Sequence, residues 1–339
     1  MNDRPLQELL FDRILFRYQR KGDAVDDLSE LLHVGRDAIY RRLRSDTSLS
    51  PDELSLLATH YQISIDDLRA EQSDLVLFNF NAFTRPVRSF DEYLRNVHDL
   101  LARVAGMPGS SFRYASQTIP IFHYFYYPEL VAFKLYVYGQ SVWGLEYLFN
   151  RQFSFDLVPQ ATHRHVEATV RHYNSVPSTG IWSDTIAQNT IQQIEYALEV
   201  DAFANPNDAL LILDKLYELM VHVQRMAEYG KKFSIGHNPS EHHVEYQLYH
   251  NEMFHLSNTI TVRTPKDRMT FTTFSNPNFL LTTDKRFCDY TDDWLDRVIA
   301  RSTSLTRQNE RARMTFFNPI FKKITASKRR VELRLEGRM

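Results

Sequence analysis

Apolar residues in the first seventy positions recur at spacings of three and four. Leu6, Leu9, Leu10, Ile14 and Leu15 make one amphipathic helix, with Pro5 placed for its first turn and Lys21-Gly22-Asp23 as its stop. Leu28, Leu31 and Leu32 share a face of a second helix, and Ile39 and Leu43 a face of a third. His33-Val34-Gly35 leaves room only for a tight turn between them, with Val34 plugging the corner. The third helix then exposes Arg36, Asp37, Tyr40, Arg41 and Arg44. Ser50-Pro51-Asp52-Glu53 is a capping box with proline at the first helical position, opening a helix through Tyr61. Ser64-Ile65-Asp66-Asp67-Leu68 repeats the cap for a short fifth helix.

Glu71 to Asp74 is a polar break, which places a boundary at 70–74. The segment LVLFNFNAF that follows is rich in strand formers. Ser89 to Glu92 starts a helix that buries Phe90, Tyr93, Leu94, Val97, Leu100 and Leu101 and stops near Gly106; residues 112–118 read as a strand. Pro128-Glu129 begins another helix inside an aromatic run, and longer helices are expected at 160–175, 184–203 and 206–229, the last stopped by Gly230. Period-two patterns in VEYQLYH, ITVRT and RMTFTTF predict three antiparallel strands, because their connections are short. Helices around Trp294 and from 306 to 325 follow, and a charged, mobile end closes the chain. The expected fold class is multidomain: an all-α N-terminal domain over 1–72, a larger, helix-rich α+β domain with a small antiparallel sheet over 73–325, and a basic tail over 326–339.

Length and composition support this division. The chain has 339 residues, 43% of them hydrophobic, enough for full-sized cores. The net charge is only −2, which excludes a bulk polyanion binder, yet Arg36, Arg41, Arg42 and Arg44 form a local basic face. Residues 301–339 hold 11 basic and 3 acidic side chains. A single cysteine, Cys288, excludes an intramolecular disulfide and a cysteine-based zinc cluster. The start MNDRPLQELL lacks a signal-peptide core and no segment has the apolar length of a bilayer span, so a cytoplasmic location is expected.

The stretch from Leu28 to Leu43 resembles the helix-turn-helix of bacterial repressors and activators, and the flanking helices make the lambda-repressor-like class the best match, over roughly the first seventy residues. Two positions depart from the family pattern: Ser29 replaces its usual small alanine, and His33 its usual turn glycine. Serine is small enough for close packing, and histidine is among the residues enriched at positive φ. The resemblance implies major-groove recognition of double-stranded DNA by Arg36, Asp37, Tyr40, Arg41 and Arg44, with Arg44 on phosphate. An ordinary helical hairpin packs through the same leucines. The larger part resembles, loosely, uncharacterised regulatory domains fused to bacterial helix-turn-helix modules.

Other chemistry is sparse. No glycine loop for nucleotides occurs, and no cofactor is implied. Cys288 reads as a buried structural thiol, and His163, His165, His172, His242 and His243 show no metal-binding spacing. The aromatic run reads either as core or dimer interface, or as the wall of a small-molecule effector pocket with His123, Tyr124, Glu129 and Trp143. The basic end reads either as a phosphate contact or as a solvated tail. The function expected is a homodimeric, sequence-specific transcriptional regulator with a sensor or dimerisation domain, and not an enzyme. Two alternatives stay open: a scaffold factor whose N-terminal hairpin binds protein, and an enzyme of unrecognised type within 75–325.

Overall fold

The computed structural model describes residues 4–16, 18, 20–61, 63, 65, 68, 75–84, 86–253, 257–265 and 267–337. It is helix-rich with one mixed sheet of eight strands. The chain divides into two units, Met1–Leu77 and Phe78–Met339. The expected boundary at 70–74 lies outside the described residues, and so does most of the expected helix at 64–68. No helix among the described residues is long and apolar enough to cross a membrane.

In the first unit, α1 (Leu6–Leu15), α2 (Lys21–Leu31), α3 (Arg36–Leu43) and α4 (Pro51–His60) enclose Leu10, Ile14, Val25, Leu28, Ile39 and Leu57. The capping box at the start of α4 forms in full: the Ser50 hydroxyl accepts from Glu53 N–H, and the Glu53 carboxylate accepts from Ser50 N–H. Lys21-Gly22-Asp23 is not the stop of α1 but the first turn of α2. Ala24, Val25 and Leu28 are buried, and that burial outweighs the low helix propensity of Gly22. Gln7 of α1 ties the end of α3 to the next loop, donating to Arg42 O and Thr47 O and accepting from Leu49 N–H.

In the second unit the strand order is β1-β7-β6-β5-β2-β3-β4-β8. The strands are β1 (Asn79–Phe80), β2 (Ser111–Ser116), β3 (Ser178–Trp182), β4 (Tyr246–His250), β5 (Thr259–Arg263), β6 (Arg268–Thr273), β7 (Phe279–Thr282) and β8 (Thr303–Ser304). β2, β3 and β4 run parallel; β5 pairs antiparallel with β2 and β6, and β8 with β4. The small antiparallel sheet expected from the sequence is therefore corrected. Of the three strands expected, β5 and β6 form a short-range hairpin, which β7 extends by pairing antiparallel with β6, whereas β4 joins a parallel ladder through β3. β3 escaped notice because Gly180 interrupts its pattern. A Cβ at that position would stand 2.9 Å from the Tyr114 ring, so the close strand approach needs glycine there.

The helices of this unit are α5 (Asn81–Thr84), α6 (Phe90–Ala105), α7 (Ile121–Tyr124), α8 (Pro128–Ser141), α9 (Gln160–Asn174), α10 (Gln188–Glu199), α11 (Asp208–Tyr229), α12 (Lys285–Ala300) and α13 (Glu310–Glu336). Side chains on one face of the sheet, Phe112, Tyr114, Trp182, Tyr246, Leu248 and Val262, enter the large core with α6, α8, α10, α11 and α13. On the other face Ala115 and Ile181 meet Leu295 and Val298 of α12. Asp292 of α12 is 3% exposed and collects Arg113, Arg263 and Arg268 from three neighbouring strands. Helices thus cover both faces, and α11 is central, packing on α8, α10, α13 and β4.

Three further expectations change. LVLFNFNAF supplies only the two residues of β1 before α5 begins. The helix expected from 184 starts at Gln188, after a turn in which Gln188 N–H bonds to Thr185 O. The basic tail is no tail through residue 336: α13 continues to Glu336, burying Ser327 and Val331 in register with Ile320 and Ile324. Two of its cations are paired, Lys328 with Asp214 at 2.6 Å and Arg330 with Glu195 at 2.5 Å.

Candidate functional site

The joint between α2 and α3 is built from a few backbone bonds. Leu32 ends α2 and His33 takes the left-handed region at φ +53. Val34 N–H then reaches Ser29 O at 3.1 Å and His33 N–H reaches Glu30 O at 3.3 Å, the two bonds of a Schellman turn. The Ser29 hydroxyl donates to Val34 O and so closes the turn. Gly35 is extended and starts α3. Ile39 is the buried residue of α3, while Leu43 and Val34 pack at the edge of the core.

This packing sorts the polar residues of α3. Arg36, Asp37, Arg41 and Arg44 are exposed. Arg36 pairs with Asp26 at 2.5 Å and Arg44 with Asp46 at 2.8 Å, each pair about half exposed, whereas Arg41 meets no carboxylate among the described residues. Tyr40 is half-buried and its ring packs on the core. Arg42 leaves the basic face: its guanidinium bonds Glu53 at 2.7 Å and Ala38 O at 3.3 Å, with the two charged side chains 14% and 20% exposed. Burial alone would raise the Glu53 carboxyl. The Ser50 backbone N–H and Arg42 outweigh it and hold the group below the ordinary carboxylate range.

In the second unit the four residues expected to line a pocket do not converge. His123 and Tyr124 are fully buried, and Tyr124 bonds Thr190 at 2.5 Å. Glu129 is half-buried in the first turn of α8. Trp143 packs on Tyr93 and Tyr138 at 4.7 and 5.8 Å between ring centroids. Most of the aromatic run is core: Phe122, Phe125, Tyr126, Phe133, Tyr136 and Tyr138 are buried. Burial also depresses basic groups that lack carboxylate partners among the described residues. It pushes the His123 imidazole down to about 3, His222 to about 4 and the Lys134 ammonium to about 7. Lys134 donates to Gln193 at 2.7 Å, and Lys232 donates to the carbonyls of Tyr173 and Val176.

Cys288 is buried against Thr270, and burial raises its thiol, as suits a structural residue. His165 and His172 lie beside His98, but among the described residues no three His, Cys, Asp or Glu are grouped to hold a metal. The His163 side chain lies outside the described residues. Two hollows occur that periodicity did not flag. A polar cleft of about 730 Å³ lies beyond the carboxyl ends of β2, β3 and β4, with Gln117, Ser183, Asp184, Asn251 and Glu252 in its wall. An apolar cavity of about 120 Å³ lies between α6 and the sheet, reached by Tyr138 of α8. Both draw residues from segments far apart in sequence. No family model, no curated protein and no solved structure matches the chain.

Proposed function

We propose that the protein is a sequence-specific regulator of transcription that binds double-stranded DNA through α3. The observation carrying this reading is the division of labour on that helix. Ile39 and the locked turn hold it in place, while Arg36, Asp37, Arg41 and Arg44 stand clear of the core. Arginine forks match guanine edges and phosphates. The ion pairs to Asp26 and Asp46 are exposed, and such pairs are worth about 0–1 kcal/mol, so exchanging them for DNA costs little.

Acting as a homodimer would place two such helices on one face of the duplex about 34–36 Å apart. The larger unit is assigned the sensor or dimerisation role, and no catalytic role is assigned to it. Fluorescence anisotropy of the full chain on random and selected duplexes tests the reading. Binding should weaken steeply with salt and select a sequence. Salt-independent binding, or none to any duplex, favours a scaffold factor whose N-terminal hairpin takes a protein.

A further inference from the structure

The cavity between α6 and strands β2, β5 and β6 has the dimensions of a ligand site. Its walls are Tyr93, Leu101, Phe112, Phe122, Val262 and Phe271, each less than a tenth exposed. Side chains in a folded core normally meet with few voids larger than a water molecule. The hollow of about 120 Å³ is sunk into this wall and opens to solvent beside the exposed Asn276. A core cavity of roughly 150 Å³ holds one benzene ring, so the inner part of this smaller hollow takes at most a single ring, with any substituent toward its open side beside the exposed Asn276.

The polar groups at this cavity say what the substituent is. Tyr138 is 4% exposed, accepts from Asn276 Nδ2 at 3.5 Å, and donates to no acceptor among the described residues. A buried phenol with an unused proton is costly unless something accepts from it.

We propose that this cavity binds a small aromatic molecule carrying one hydrogen-bond acceptor, with the ring against Phe112, Phe122 and Phe271 and the acceptor on the hydroxyl of Tyr138. The site lies wholly within residues 78–339 and does not depend on DNA binding. Benzene, benzonitrile and benzoate are the probes, titrated into the full chain by calorimetry and by thermal melting. Benzonitrile or benzoate should bind and raise the melting temperature, and benzene should bind about tenfold more weakly, one hydrogen bond's worth. Tyr138→Phe should remove that advantage and leave benzene unchanged. Leu100→Trp, at a half-buried wall position, should abolish binding of all three, with a thermal melt of the free variant to show that the fold is kept. The proposal is overturned if no probe binds, if benzene binds as well as the others, or if neither variant alters binding.

Discussion

Arg41 and Arg42 are adjacent, and the helix sends them to different partners. One turn of α3 is about 3.6 residues, so the pair diverges by roughly 100°. Arg41 faces solvent and Arg42 faces Glu53 of α4. Arg36→Ala or Arg41→Ala should then cost about 1–3 kcal/mol of DNA binding without changing the melt, and relax discrimination at one base pair each. Arg44→Ala should weaken all sequences alike. Mobility shifts against a panel of operators separate the two patterns, and wild-type affinity in both Arg36→Ala and Arg41→Ala would refute the groove assignment. Glu53 carries a second expectation. Its folded carboxyl titrates below its ordinary value of 4.5, so its stabilising contribution is full above that pH and is lost as pH falls through the depressed value. Glu53→Gln should flatten the acid limb of the melting-temperature profile below about pH 4.5.

At the scale of the element, the turn between α2 and α3 depends on one residue adopting a left-handed backbone. His33 does so at φ +53 with its side chain exposed, so substitutions there act through the backbone. His33→Val should cost roughly 1–2 kcal/mol, because a β-branched residue resists that region, while His33→Gly should keep full stability. Hydrogen exchange at the Val34 amide, which closes the turn onto Ser29 O, reads the local opening. Equal protection in all three proteins would mean that the turn is not the weak point. The same conformational demand was legible in the sequence, since the histidine stands where the resembled family has glycine. The extent of α13 was not. Its last turns look like a solvated basic tail until Asp214 and Glu195, more than a hundred residues away, are placed against Lys328 and Arg330.

At the scale of the whole molecule, the second unit encloses several basic groups without carboxylate partners among the described residues. His123, His222, Lys134 and Lys232 all titrate below their ordinary values, so each binds a proton more readily once unfolded. The signs add. Stability falls as pH drops from about 10.5 to about 7 through Lys134, and again below about 6.5 through the two imidazoles. Lys134→Met should flatten the upper limb, removing at most about 1.4 kcal/mol per pH unit. Thermal melts from pH 6 to 10.5 check it, and an unchanged slope would show that Lys134 stays charged where it is. The proposed two-fold recognition of DNA gives the second expectation at this scale. The full chain should sediment as a dimer and prefer a pseudopalindromic site. Ultracentrifugation decides, and a monomer at tens of micromolar that still binds DNA tightly would refute it.

Periodicity and caps determined the local elements. The stripe through Leu28, Leu32 and Ile39, the Ser50 box, the Ser89 start and the Gly230 stop are short-range signals, and the helices beside them form where those signals lie. Parallel pairing through β3, the burial of Lys134 and Lys232, and the withdrawal of Arg42 from the basic face depend on partners far along the chain. So does the cavity, whose walls run from Tyr93 to Phe279. A local pattern shows which face of an element is apolar, but not which distant face will cover it. For that reason the candidate reading helix was visible in the sequence, and the polar cleft and the apolar cavity were not.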